Sequence, residues 1–143
     1  MEKEIKANHF IKNVLNCRRE RILSYLLDDG FKGAVMFAPE NVFYFTGFWG
    51  ESIAMCTSDG IKLFVPQLEV SRAERESFDC EIFSTQRGDD STISLYPYLS
   101  NSKFCSDCND FKTIDSIHKK VGKKSFICDS QPFMIVRLSL IHI

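Results

Sequence analysis

The stretch GAVMFAPENVFYFTGFWGES, residues 33–52, changes character several times along its length. GAVMFA, 33–38, is continuously apolar, which suits a strand covered on both faces. Pro39 has no N–H to lose, so it fits the first turn of a helix. That helix carries Val42, Phe43, Tyr44 and Phe45 and stops at Gly47. A doubly covered strand followed at once by a helix predicts an α/β layer structure. The end of the stretch is harder to place. Gly47 and Gly50 weaken any strand they enter, while Phe48 and Trp49 are costly to leave in water.

Working outward, residues 8–29 read as a helix. Ile11, Val14, Leu15, Ile22, Leu23, Leu26 and Leu27 recur at three- and four-residue steps, with Arg18 to Arg21 on the wet side. Gly30 stands where a left-handed cap is wanted. SIAMCT (52–57) and IKLFV (61–65) are strands joined by the turn residues Ser58, Asp59 and Gly60. Residues 67–77 then read as a helix and 80–84 as a strand. A polar loop and a short helical piece at 93–99 follow. KFCSD (103–107) is strand-like, Asn109 or Asp110 caps a helix to Val121, and SFICD (125–129) is the last strand. The expected fold is three-layered, with a mixed sheet of about five or six strands and helices on both faces.

Composition narrows the class. A chain of 143 residues buries roughly 68–70% of its unfolded surface and can fold as one domain. A formal charge of -1 offers no basic excess, so no nucleic-acid partner is expected. The N-terminal residues MEKEIKANHF contain no apolar signal region. Apolar runs reach only about half a dozen residues, far short of the roughly 20 that span a bilayer. A cytoplasmic location without membrane attachment, with the 6 cysteines reduced, is the expectation.

The order of these signals resembles the N-terminal domain of the creatinase/prolidase/Xaa-Pro aminopeptidase family, the pita-bread metallopeptidases, from about Arg19 to Arg137. The most specific part is the turn Asn41, Tyr44, Phe45, Thr46, Gly47, Phe48, with Phe45 where the family pattern has Leu. The run ICDSQPFMIVR, 127–137, is similar to the family's exit from this domain, an Asp-led strand leading to an Arg-containing helix.

The resemblance implies a ribonuclease H-like fold and a non-catalytic role. The domain would sit beside its own catalytic domain and help form a dimer. There it would reach over the partner subunit's peptide pocket with the loop after Thr-Gly-Phe. Phe48, Trp49 and Glu51 are on that basis the candidate substrate-binding residues. The competing reading makes Phe45 and Phe48 core with Trp49 capping them, and for Phe45 the core reading is preferred. The family's two divalent metals (Mn, Co or Zn) are held by a catalytic domain that has no counterpart here. No cofactor, metal ligand or catalytic residue is therefore assigned, and no activity is expected of residues 1–137 alone. The alternative function is a peptide- or protein-binding module of the same fold without peptidase activity. An amidinohydrolase of the creatinase kind is a third possibility.

The final six residues, LSLIHI (138–143), are what CTG-TCT-CTT-ATA-CAC-ATC encodes, a transposon end used in sequencing libraries. They are expected to be a non-native tail from adapter read-through; the alternative is a genuine apolar helix or strand. Cys105-Ser106-Asp107-Cys108 lacks the second pair of a zinc ribbon and is read as strand-end thiols rather than a redox centre. Asp89-Asp90 is read as solvated loop. His9, His118 and His142 have no ligand spacing. Lys119, Lys120, Lys123 and Lys124 flank a helix C-terminus, which cations complement.

Overall fold

The computed structural model describes residues 2–85 and 91–138. Helix α1 (Glu2–Leu27) leads into β1 (Gly33–Met36), α2 (Pro39–Thr46), β2 (Ile53–Thr57) and β3 (Gly60–Pro66). A 3-10 turn at Gln67–Glu69 opens α3 (Val70–Glu76), followed by β4 (Cys80–Thr85). After a second 3-10 turn, Ser91–Leu95, come α4 (Tyr96–Leu99), β5 (Phe104–Ser106), α5 (Phe111–Val121), β6 (Phe126–Cys128) and α6 (Gln131–Leu138). Asp89-Asp90 and residues 139–143, His142 among them, lie outside the described residues.

The strands form one six-stranded mixed sheet in the order β4-β3-β2-β1-β5-β6. Only β2 runs against its neighbours, pairing Met36 with Ala54 and Ile53 with Phe64. β1 is parallel to β5, β5 to β6, and β3 to β4. The hairpin falls at Ser58–Gly60 as its turn residues predict, with Gly60 at φ 126. All four residues of β1 are buried, as the unbroken apolar run requires.

Each face of the sheet has its own core. On one, Ile22 and Leu26 of α1, Val42 and Phe45 of α2, Ala73 of α3, and Phe133 and Val136 of α6 pack over Ala34, Cys56 and Leu63. On the other, Leu95, Leu99 and Ile117 cover Val35, Met55, Phe64, Phe104 and Phe126. This is the expected three-layer arrangement.

Two boundaries and one side-chain placement depart most from the sequence reading. α1 starts at Glu2 rather than near Asn8, and residues 6–13 are exposed all round, so its first turns run beyond the core. β1 ends at Met36 because the next two amides bond to a side chain instead of a strand. Arg19 is 8% exposed rather than on the wet side. Its Nε donates to Phe45 O, a carbonyl left over at the end of α2, at 2.8 Å, and its Nη2 to Phe78 O in the loop before β4. Arg18 is half-buried, lying 4.0 Å over the Tyr44 ring and donating to Tyr44 O. No helix among the described residues is long and apolar enough to cross a membrane.

Candidate functional site

Strand direction places the site. The carboxyl ends of β1, β3, β4, β5 and β6 meet the start of β2 along one edge of the sheet. The chain leaves β1 towards β2 but leaves β5 towards β6, so the strand order reverses between β1 and β5. Crevices at such reversals are where open α/β sheets hold ligands.

Here the crevice is filled from within. Asp107, just past β5, accepts the Phe37 and Ala38 amides at 2.6 and 3.2 Å and Asn41 Nδ2 at 2.7 Å. Ala38, the N-cap residue of α2, offers no side-chain cap, and Asp107 instead holds the two amides that lead into the helix, with its charge near the helix N-terminus. Asn41 Oδ1 in turn accepts Arg137 Nη1 at 3.0 Å, which ties α6 into the same chain of bonds. Burial pushes the Asp107 carboxyl up from its usual range, against the pull of its Asn41, Phe37 and Ala38 donors.

Further along the edge the chain passes from α2 into the aromatic loop. Gly47 takes the left-handed conformation at φ 82 and its amide bonds to Phe43 O. A side chain there would meet the Phe78 ring, 2.9 Å from the Cβ position. Thr46 Oγ1 donates to Val42 O at 2.7 Å and accepts the Phe48 amide at 3.0 Å, which braces the backbone where the loop leaves the helix. Arg72 of α3 is the clamp. Its guanidinium lies 4.4 Å over the Phe48 ring, donates to Trp49 O at 3.0 Å, and is held by Glu69 and Glu76. A Cβ at Gly50 would fall on that guanidinium, so a side chain there would push the end of Arg72 aside from the loop.

The three candidate residues therefore separate. Phe48 is fully buried, and its placement with exposed neighbours is corrected: it belongs to the core with Phe45, as the competing reading had it. Trp49 is 55% exposed, its ring edge-on to half-exposed Phe43 at 6.0 Å. Glu51 is exposed and lines a cleft of about 180 Å³ between the start of β2 and the ends of β3 and β4. Trp49 and Glu51 thus form a ledge on a braced loop. Asp107 and Arg72 were missed by sequence reasoning. The only sequence hint for Asp107 is an acidic residue just past a strand, a weak signal.

The remaining candidates are structural. Cys105 packs in one core and Cys108 in the other, so the sheet separates the C-x-x-C thiols. Burial pushes the Cys105 thiol up to about 12, and Cys56 likewise, which leaves both un-ionised at neutral pH. His118 is half-buried, with Nε2 2.8 Å from Phe126 O; a carbonyl only accepts, so that nitrogen carries the proton. Among the described residues no group of three or more His, Cys, Asp or Glu is placed to hold a metal ion.

The fold is shared with solved structures. The chain is similar in structure to the prolidase from Pyrococcus horikoshii OT3 (TM-score 0.71, 18% identity, 85% of this chain and 35% of that one). It is similar to the Xaa-Pro dipeptidase from Bacillus anthracis (TM-score 0.75, 14% identity, 87% of this chain and 36% of that one). It also matches the creatinase/prolidase N-terminal domain of an X-Pro dipeptidase from Streptococcus pyogenes (TM-score 0.66, 21% identity, 79% of this chain and 99% of that one). At these identities the likeness is one of fold, and the chain spans about a third of the length of the prolidase and the Bacillus dipeptidase. No curated protein matches it. Residues 18–137 match the creatinase/prolidase N-terminal domain family, and the chain belongs to that family.

Proposed function

We propose that this chain is the non-catalytic N-terminal domain of a metal-dependent Xaa-Pro aminopeptidase or dipeptidase. In that reading it takes part in the dimer and forms one wall of the peptide pocket through Trp49 and Glu51. The supporting observation is the ledge itself: a half-exposed tryptophan on a loop clamped by Thr46, Phe78 and Arg72. A large ring held rigid in water gains most when another surface covers it, since little side-chain entropy is then lost. The chemistry would be supplied by a catalytic domain carrying two divalent metals, Mn, Co or Zn, that polarise the scissile carbonyl and activate water. The described residues of this chain do not fit such a centre, and no step is assigned to them.

The test is to join this domain to its downstream coding sequence and compare Trp49→Ala with the parent. The expected result is a fall of about tenfold in kcat/KM for an Xaa-Pro peptide, with unfolding of this domain nearly unchanged. Unchanged turnover would overturn the pocket role. A downstream sequence without two Asp, one His and two Glu as metal ligands would favour a binding module of the same fold.

A further inference from the structure

We propose that β4 and the first turns of α1 together form a docking surface for a second copy of this chain, joining two sheets edge to edge. The proposal needs only this chain and does not rest on the peptidase reading. β4 is one edge of the sheet, and no described strand lies outside it. Its residues, Cys80–Thr85, pair with β3 in unbroken register and include no lysine, proline or bulge. Those are the devices that keep an edge from recruiting another strand. The opposite edge, β6, is protected by its length of only 3 residues. Ile82 and Phe83, on opposite faces of β4, are each only half-buried.

A second, independent observation is that α1 leaves the core on this same side. Ile22 and Leu26 pack over Ala34 of β1, whereas Lys12, nearer the N-terminus, reaches Asp79, the residue before β4, at 3.1 Å. The helix therefore crosses the sheet towards β4, and its earlier turns continue past that edge. From Lys12 back to Glu2 there remain about 15 Å of helix, roughly three strand spacings. Ala7, Phe10, Ile11 and Val14 fall on one face at three- and four-residue steps. Phe10 is 68% exposed and Ile11 39%, so this apolar stripe is left largely uncovered. A second copy fits both features at once. A two-fold axis perpendicular to the sheet sets β4 antiparallel to its partner and keeps each face of the sheet on its own side. It also brings the two α1 helices side by side and antiparallel, each stripe covered by the other. Registers centred on Ile82 or on Phe83 both keep Glu81 away from its own copy, so like charges do not meet. An unrelated extended peptide would pair with β4 but leave the α1 stripe in water.

The experiment is sedimentation velocity of the 143-residue chain from about 1 to 300 μM, with amide hydrogen exchange measured at both ends of that range. A monomer–dimer equilibrium is expected with a dissociation constant on the order of 10–100 μM, the weak end for an interface of one strand pair and one helix pair. Phe10→Ser should weaken association about tenfold, and Ser84→Lys, which puts a charge on the edge, about threefold. Urea unfolding of both variants should be nearly unchanged, because both residues are exposed. Amides of β4 and of the first turns of α1 should gain protection together as concentration rises. Trp49→Ala should leave association unchanged. A monomer at the highest concentration, indifference to either variant, or protection gained instead on another surface such as α6 would each overturn the proposal. Because turnover is not measured, failure here leaves the pocket role of Trp49 standing, and failure of that role leaves this contact standing.

Discussion

Two places on one edge of the sheet, a few strands apart, are treated in opposite ways. Between β1 and β5, where the strand order reverses, Asp107 satisfies two amides and Asn41 and draws Arg137 in behind it. Between β2 and β3, Glu51 stands at the mouth of an open cleft without a partner among the described residues, and Trp49 beside it is 55% exposed. Both places have a carboxylate and aromatic neighbours, so residue type does not separate them. What differs is whether the fold supplies donors. A carboxylate that meets backbone amides is absorbed into the structure, and one that meets none stays at the surface.

Neighbouring aromatics test this contrast most severely. Phe48→Ala should cost roughly 3–5 kcal/mol by leaving a cavity under Arg72, whereas Trp49→Ala should cost about 1 kcal/mol or less. Urea unfolding of both variants is the measurement; equal losses would break the distinction between core and ledge. Next, Asp107→Ala should cost about 2–3 kcal/mol, since it strands the Phe37 and Ala38 amides and the Asn41 side chain. Glu51→Ala should stay within about 0.5 kcal/mol of the parent. A comparable loss at Glu51 would mean that it, too, is a structural group.

Gly47→Ala should cost about 1–2 kcal/mol, because φ 82 is unfavourable for an L side chain and the Phe78 ring must also move. The smallest effects are those of pH, and their signs differ between two aspartates near this edge. Asp110 accepts the Thr113 hydroxyl and amide, which hold its carboxyl below 3.8. Its contribution is therefore complete above pH 3.8 and lost as pH falls through the folded value. Asp107 is raised by burial, so the native state binds the extra proton, and stability declines as pH rises from 3.8 through the folded value. Thermal unfolding against pH should show Asp110→Asn flattening the acid-side rise and Asp107→Asn removing the decline above it. If both variants altered the curve with one sign, the roles given to these carboxylates would be wrong.

The secondary structure around the site was largely legible in the residues. The unbroken run from Gly33, Pro39 at a helix start, Gly47 at its end and the Ser58–Gly60 turn each report a local preference, set by sterics and hydrogen bonds within a few residues. The family turn was legible for the same reason, since its Thr46 and Gly47 act on neighbours two to four residues away. Three decisions were not local. Phe48 turned inward while Trp49 stayed out because Arg72, distant in sequence, reaches back over the loop. Arg19 left the wet face because carbonyls at Phe45 and Phe78 converge on it. Asp107 closed the β1–β5 crevice because parallel pairing brings the end of β5 beside the amides that follow β1. The sequence by itself settled where the chain turns and which elements it builds. Only the tertiary structure decided which of two adjacent aromatics, and which of two carboxylates, finds a partner, because those partners come from elements brought together by the sheet.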